Sequence, residues 1–222
     1  MIDSVRTQKL ISTYNRIGQA VRMRLLDHYP AKLIWEVFAD TRRELMFLAP
    51  KIPFIGEKNI WQISLDTCVM NMALYRTLKK RRFEFKEAAQ IQNDIVEGYR
   101  LSLPKPLHWA YRWYYFSPFH QKRLSQAATQ SQKRQYPGDW VFTYVEGNSD
   151  GFDFGVDITE CAIVKLYQAH GVEEEYLPHL CKLDHALSKI LNLGFIQQGT
   201  LSKGAPVCDY RWKRGAATIW YC

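Results

Sequence analysis

Three cysteines in the last third of the chain lie among groups that can trade protons or hold an anion. They read Asp157-Ile-Thr-Glu-Cys161, Leu180-Cys181-Lys-Leu-Asp184 and Thr200-Leu-Ser-Lys-Gly204-Ala-Pro-Val-Cys208-Asp209-Tyr-Arg211. A thiol becomes a nucleophile or a metal ligand once it is deprotonated, and neighbouring charges and helix starts decide when that happens. A packed core asks only for apolar shape, so carboxylates and an arginine beside thiols raise a chemical reading.

The elements around these residues follow from periodicity. A helix is expected from about 158 to 170, ended by Gly171, with Asp157 and Glu160 as a capping box. That places Cys161 in its first turns, where the positive dipole end favours a thiolate. A second helix is expected from about Pro178 to Leu193, stopped by Gly194. On it Leu180, Leu183, Leu187, Ile190 and Leu191 fill a wedge of about 100° at ~100° per residue. Asp184 falls roughly 20° and Cys181 about 80° beyond that wedge, while His185 points toward solvent. A carboxylate at the border of a core asks for a partner. In the last strand, alternation puts Cys208, Tyr210 and Trp212 on one face and Asp209, Arg211 and Lys213 on the other. Asp209 and Arg211 then face away from the thiols, and an ion pair from Asp209 to a basic helix accounts for it equally well.

The remaining pattern reads as helices first and a sheet afterwards. Leu65, Cys68, Val69, Met72, Tyr75 and Leu78 form one helical stripe, with Met70, Met72 and Cys68 as core filler. Ile34 to Leu48 suggests another, broken by Pro50 and Pro53, and further helices are expected near 84–101 and 117–135. The aromatic run Trp109 to Phe116, after the break at Pro104-Lys-Pro106, is expected to pack. At Pro137-Gly138 the period changes to two. Trp140 to Val145 suits a strand buried on both faces or nearly so, 147–151 a hairpin turn, and Phe152 to Ile158 a strand with one apolar face. Phe195 to Leu201 and Val207 to Lys213 close the pattern. The expected fold class is α+β: a basic helical region over 1–136, then a small antiparallel sheet in ββααββ order over 137–222 with two helices packed on it.

Size and composition fit a globular chain: 222 residues, 47% hydrophobic and 14% aromatic. No apolar run suffices to cross a bilayer and the start lacks a secretion-signal pattern, so a cytoplasmic setting without a membrane partner is expected. Five cysteines, an odd number, do not make a disulfide framework, and Cys222 carries no expected role. Residues 1–136 hold 23 Lys/Arg against 11 Asp/Glu, and residues 137–222 hold 7 against 11. A basic half can attract nucleic acid or acidic proteins. The densest run, Lys79-Lys-Arg-Arg82, is better read as the solvated end of a helix, and nucleic acid is not favoured. Long thiol spacings without Cys-x-x-Cys, and the absence of His-Glu-x-x-His, P-loop or dinucleotide patterns, assign no metal and leave any cofactor unknown.

Residues 136–213, with a looser fit from Pro53 to Tyr75, resemble the L-2-amino-thiazoline-4-carboxylic acid hydrolase family. The resemblance rests on Tyr136 to Gly147, Phe152 to Cys161, Leu180 to Asp184, Thr200 to Gly204 and Cys208 to Lys213. It implies hydrolytic opening of a cyclic amidine carbon, turning a carboxylate-bearing thiazoline into N-carbamoyl-cysteine. Under it Cys161 is expected as nucleophile, Asp184 as general acid/base and Arg211 as the clamp on the substrate carboxylate. Cys181, Cys208, Thr200 and Asp209 are expected to line the substrate site. The competing readings are a non-catalytic small-molecule or metal binder on the same fold and an adaptor that uses the basic half.

Overall fold

A computed structural model describes residues 2–148, 151–172 and 176–220. The chain divides into two compact units, one of Met1–Ile52 with Ile63–Ser102 and one of Pro53–Gln62 with Leu103–Cys222. None of the described helices is long and apolar enough to cross a membrane. Cys222 lies outside the described residues.

The first unit is helical: α1 (Ile2–Leu25), α2 (Ala31–Leu48), α3 (Gln62–Lys80) and α4 (Phe85–Ser102). Its core is the stripe read from the sequence, with Leu45, Leu65, Met72 and Leu78 sealed from solvent. Met70 is buried as expected, while Cys68 is only half-buried. The Lys79–Arg82 run ends α3, and its two middle charges are paired. Lys80 bonds the buried Glu44, and Arg81 reaches Glu36 at 2.9 Å and Asp40 at 2.5 Å.

The second unit holds α5 (Lys105–Tyr115) and α6 (Pro118–Ser131), then β1 (Val141–Asn148) and β2 (Phe152–Glu160). They are followed by α7 (Ala162–Ala169), α8 (Tyr176–Leu191), β3 (Phe195–Gln197), β4 (Cys208–Trp212) and β5 (Ile219–Trp220). The α+β class holds, but the expected ββααββ order does not. A fifth strand, too short for period-two patterning to reveal, pairs parallel with β3, and the sheet runs β1-β2-β4-β3-β5. The stretch read as one strand from Phe195 to Leu201 ends at Gln197, and residues 201–203 form a single 3-10 turn that Gly204 closes at φ 83°. The break expected at Pro104-Lys-Pro106 separates α4 from α5, and the two prolines also start α5, because their fixed φ suits a first turn. Ser149 and Asp150 of the expected hairpin turn lie outside the described residues, but Asn148 accepts the Gly151 N–H at 2.6 Å across it.

Register sorts the sheet's two faces. Phe154, Val156 and Ile158 stand opposite Trp212, Tyr210 and Cys208, and Phe142 and Tyr144 continue that inner face on β1. Phe154, Phe195 and Trp212 stack there at ring separations of 5.2 to 5.5 Å. The outer face carries Asp157, Asp209 and Arg211. β1 is therefore not buried on both faces: Thr143 is exposed and Val145 half-buried.

Candidate active site

Helix α7 starts later than the sequence pattern suggests, and that changes the role of every residue before it. Asp157 and Glu160 belong to β2, so they form no capping box. Asp157 pairs with Arg211, and Glu160 bonds Arg134 at 2.8 Å and Lys165 at 2.7 Å. Cys161 itself is the N-cap, in extended conformation at φ −105° and ψ 120°. Its sulfur makes no capping hydrogen bond, but the N–H groups of Val164 and Ile163 and the indole of the buried Trp140 lie near enough to favour its thiolate. Burial outweighs them, so the thiol titrates above its ordinary range and rests protonated.

The second surprise is on α8. The inward arc of this helix runs through Tyr176, Leu177, His179, Leu180, His185, Ser188 and Leu191. At ~100° per residue that arc is centred near Asp184, which is its middle and not its border. His185, expected at the surface, is buried and bonded at 3.0 Å to Gln197. Of the expected core wedge Leu180 and Leu191 are buried, while Leu183, Leu187 and Ile190 are only half-buried. The leucine wedge misled because small and polar side chains occupy the true centre.

Asp184 combines two properties found together only in a recess. Its side chain is exposed, and yet it is so enclosed by protein that lost hydration pushes its pKa up to about 6. Tyr210, on the inner face of β4, donates to Asp184 Oδ2 at 2.8 Å and partly offsets that rise. Enclosure also lifts the phenols of Tyr210 and Tyr115 well above the usual tyrosine range, so both stay protonated donors.

Cys161, Cys181, Cys208, Asp184 and Tyr210 are close enough for the charge of one to raise the pKa of another. Tyr115, at the end of α5, feels Asp184 as well. The thiols and the acid therefore converge between α8, the start of α7 and the sheet's inner face. Cys181 sits 3.3 Å from the Ser202 hydroxyl, which in turn meets the Thr200 hydroxyl at 3.0 Å. Thr200 is sealed from solvent, so it supports this edge without reaching the hollow. Cys208 is buried behind, takes the Leu201 N–H at 3.2 Å and has its pKa pushed up to about 12, chiefly by burial. Among the described residues no three His, Cys, Asp or Glu side chains are arranged to hold a metal ion.

Arg211 and Asp209 do not join the cluster. Arg211 lies on the outer face across Gly155, donates to Asp157 at 2.6 Å and to the Val156 and Tyr210 carbonyls, and covers the Phe152 ring. It is not placed to clamp a substrate carboxylate. Asp209 accepts the N–H groups of Gln198 and Gly199, at 3.0 and 2.6 Å, in place of the expected ion pair. Arg211→Gln should therefore cost about 1–3 kcal/mol of stability, read by denaturant unfolding, and leave turnover within a few-fold. Sequence reasoning assigned no role to Trp140, Tyr115 or Tyr210. Only Tyr210 left a usable trace, as the aromatic between Cys208 and Trp212 on the same strand face.

An α+β unit that gathers thiols, a phenol and a carboxyl poised near neutrality has the make-up of a small-molecule enzyme. The chain belongs to the L-2-amino-thiazoline-4-carboxylic acid hydrolase family, whose pattern it matches over residues 67–212, a span that includes Cys161, Asp184 and Tyr210. No curated protein and no solved structure matches it.

Proposed function

We propose that the recess opens a 2-aminothiazoline ring by hydrolysis, with Cys161 as nucleophile and Asp184 as proton carrier. The observation that carries this reading is the Cys161 sulfur at the start of a helix, near enough to Asp184 to feel its charge, with that carboxyl titrating near pH 6. The N–H groups near this sulfur favour charge that it gains only during reaction, which is where fixed dipoles contribute most.

In the first half-reaction the sulfur bonds to the carbon between ring nitrogen and ring sulfur, and its proton passes to the basic ring nitrogen. The carbon–ring sulfur bond then breaks, and protonated Asp184 gives its proton to the departing sulfur. The isothiouronium left on Cys161 is a cation beside the new Asp184 carboxylate, an attractive pairing in an enclosed site. In the second half, water adds to that carbon and loses a proton to Asp184. Cys161 leaves as thiolate near those N–H groups and takes the last proton from the oxygen, which becomes the urea carbonyl. One water is consumed, and the product, N-carbamoyl-cysteine when the ring carries a 4-carboxylate, has a free thiol that the substrate lacks.

Incubating the full chain with L-2-amino-thiazoline-4-carboxylic acid tests this directly. Free thiol should appear in step with substrate loss and in excess over enzyme. If the thiazoline is left unchanged, its assignment as substrate fails. Tyr210→Phe supplies a finer check. The phenol stabilises ionised Asp184, so its loss should move the alkaline limb of the kcat/KM profile, where protonated Asp184 is lost, upward from about pH 6. An unmoved limb would detach Asp184 from the profile.

A further inference from the structure

Helix α5 wears its apolar side outward. Trp109 is 63% and Trp113 66% exposed, and none of its residues is buried. Its inward side carries Tyr115, whose phenol feels Asp184. At ~100° per residue Trp109 and Trp113 lie 40° apart on the exposed arc, Trp113 nearer its centre and Trp109 toward the edge that Lys105 marks. Helix α6 continues the pattern: Phe119 is 63% exposed, beside exposed Lys122 and Arg123. The two exposed faces adjoin at Tyr114, whose hydroxyl takes an Arg123 N–H at 3.2 Å and whose ring lies 6.4 Å from that of Phe119. From residue 103 to residue 138 the chain has six Lys/Arg and no Asp or Glu.

We propose that this α5–α6 face docks on an anionic lipid surface. Bulky aromatics on an exposed arc with lysine and arginine beside them are what a helix lying in the headgroup layer needs. The rings enter the acyl boundary, and the cations meet lipid phosphates. Such a helix need not span the bilayer, so the lack of a crossing segment does not bear on it. The same charge pattern argues against a second copy of this chain. A two-fold contact would set the cations of one α5–α6 face against their own counterparts, with no carboxylate in the segment to offset them. It also argues against nucleic acid, where cations track the phosphates along the middle of a groove.

Sedimentation of the full chain with vesicles decides the matter. It should bind vesicles of phosphatidylcholine mixed with phosphatidylglycerol, bind phosphatidylcholine alone at least about tenfold less, and detach at high salt. Trp109→Ser with Trp113→Ser should cut binding about tenfold and abolish a lipid-induced blue shift in tryptophan emission, with circular dichroism unchanged. Lys122→Glu with Arg123→Glu should remove the preference for anionic lipid. The proposal is overturned by failure to bind the mixed vesicles, or by undiminished binding of the tryptophan variant. It is equally overturned if the tryptophans prove to mediate self-association, or if single-stranded RNA binds this face and the vesicles do not.

Discussion

Cys161→Ser is expected to lower turnover of the thiazoline by at least about a thousandfold, with folding left intact. The reason lies at the start of α7. The first N–H groups of this helix and the Trp140 indole favour charge on the sulfur, and a resting thiol raised by burial needs that help most when it leaves as thiolate. Serine keeps the N-cap role, which it fills well, so stability should hold or improve. Alkoxide is a far poorer leaving group, so the second half-reaction should stall. Mass spectrometry of the serine variant after mixing with substrate would then find a small fraction carrying the amidine carbon, and wild type quenched mid-turnover should carry it on Cys161. Unchanged turnover in the serine variant would leave direct attack by water under Asp184 as the surviving chemistry.

Asp184→Asn should be comparably severe in rate and opposite in stability. Loss of a proton carrier costs about a hundred- to ten-thousandfold in kcat. The wild-type profile should bend near pH 6, and the asparagine variant should lack that bend. The stability effect follows from linkage. The folded-state pKa lies above the ordinary 3.8, so the stabilisation from neutral Asp184 is full below about pH 4 and is lost as pH rises through about 6. Asparagine cannot ionise and can still accept from Tyr210. The variant should thus melt higher than wild type above pH 6 and much like it at pH 4. Calorimetry at the two pH values reads the difference; a variant less stable at both would show that the carboxylate is held for packing.

Much of this was legible in the chain because period-two alternation is robust. The Cys208–Tyr210–Trp212 face and the opposed Asp209–Arg211 face follow from spacing alone, and the structure keeps both. What spacing could not reveal was depth. The inward arc of α8 is centred on Asp184 because Cys181, Asp184 and Ser188 leave room there, and a wedge drawn through leucines cannot register room. Nor could it reveal how far β2 extends, since Asp157 and Glu160 suit a helix start and a strand edge equally well. Arg211 stands apart from the thiols and Asp184 for a related reason: Gly155 lets the side chain lie flat across β2 and reach Asp157. On α5, the aromatic run read as packing because nothing in its composition says which side faces water.

The fifth strand sets a timetable for biosynthesis. Thr218 meets the Ser188 hydroxyl at 3.1 Å and takes the Phe195 N–H, while Ile219 and Trp220 pair with β3. These late residues brace both α8 and the sheet edge. The helical unit can begin to fold while synthesis proceeds, since domains fold as they emerge. The proposed site must wait for these residues, so nascent protein stalled before residue 218 would be folded at its front and lack the site's support behind it.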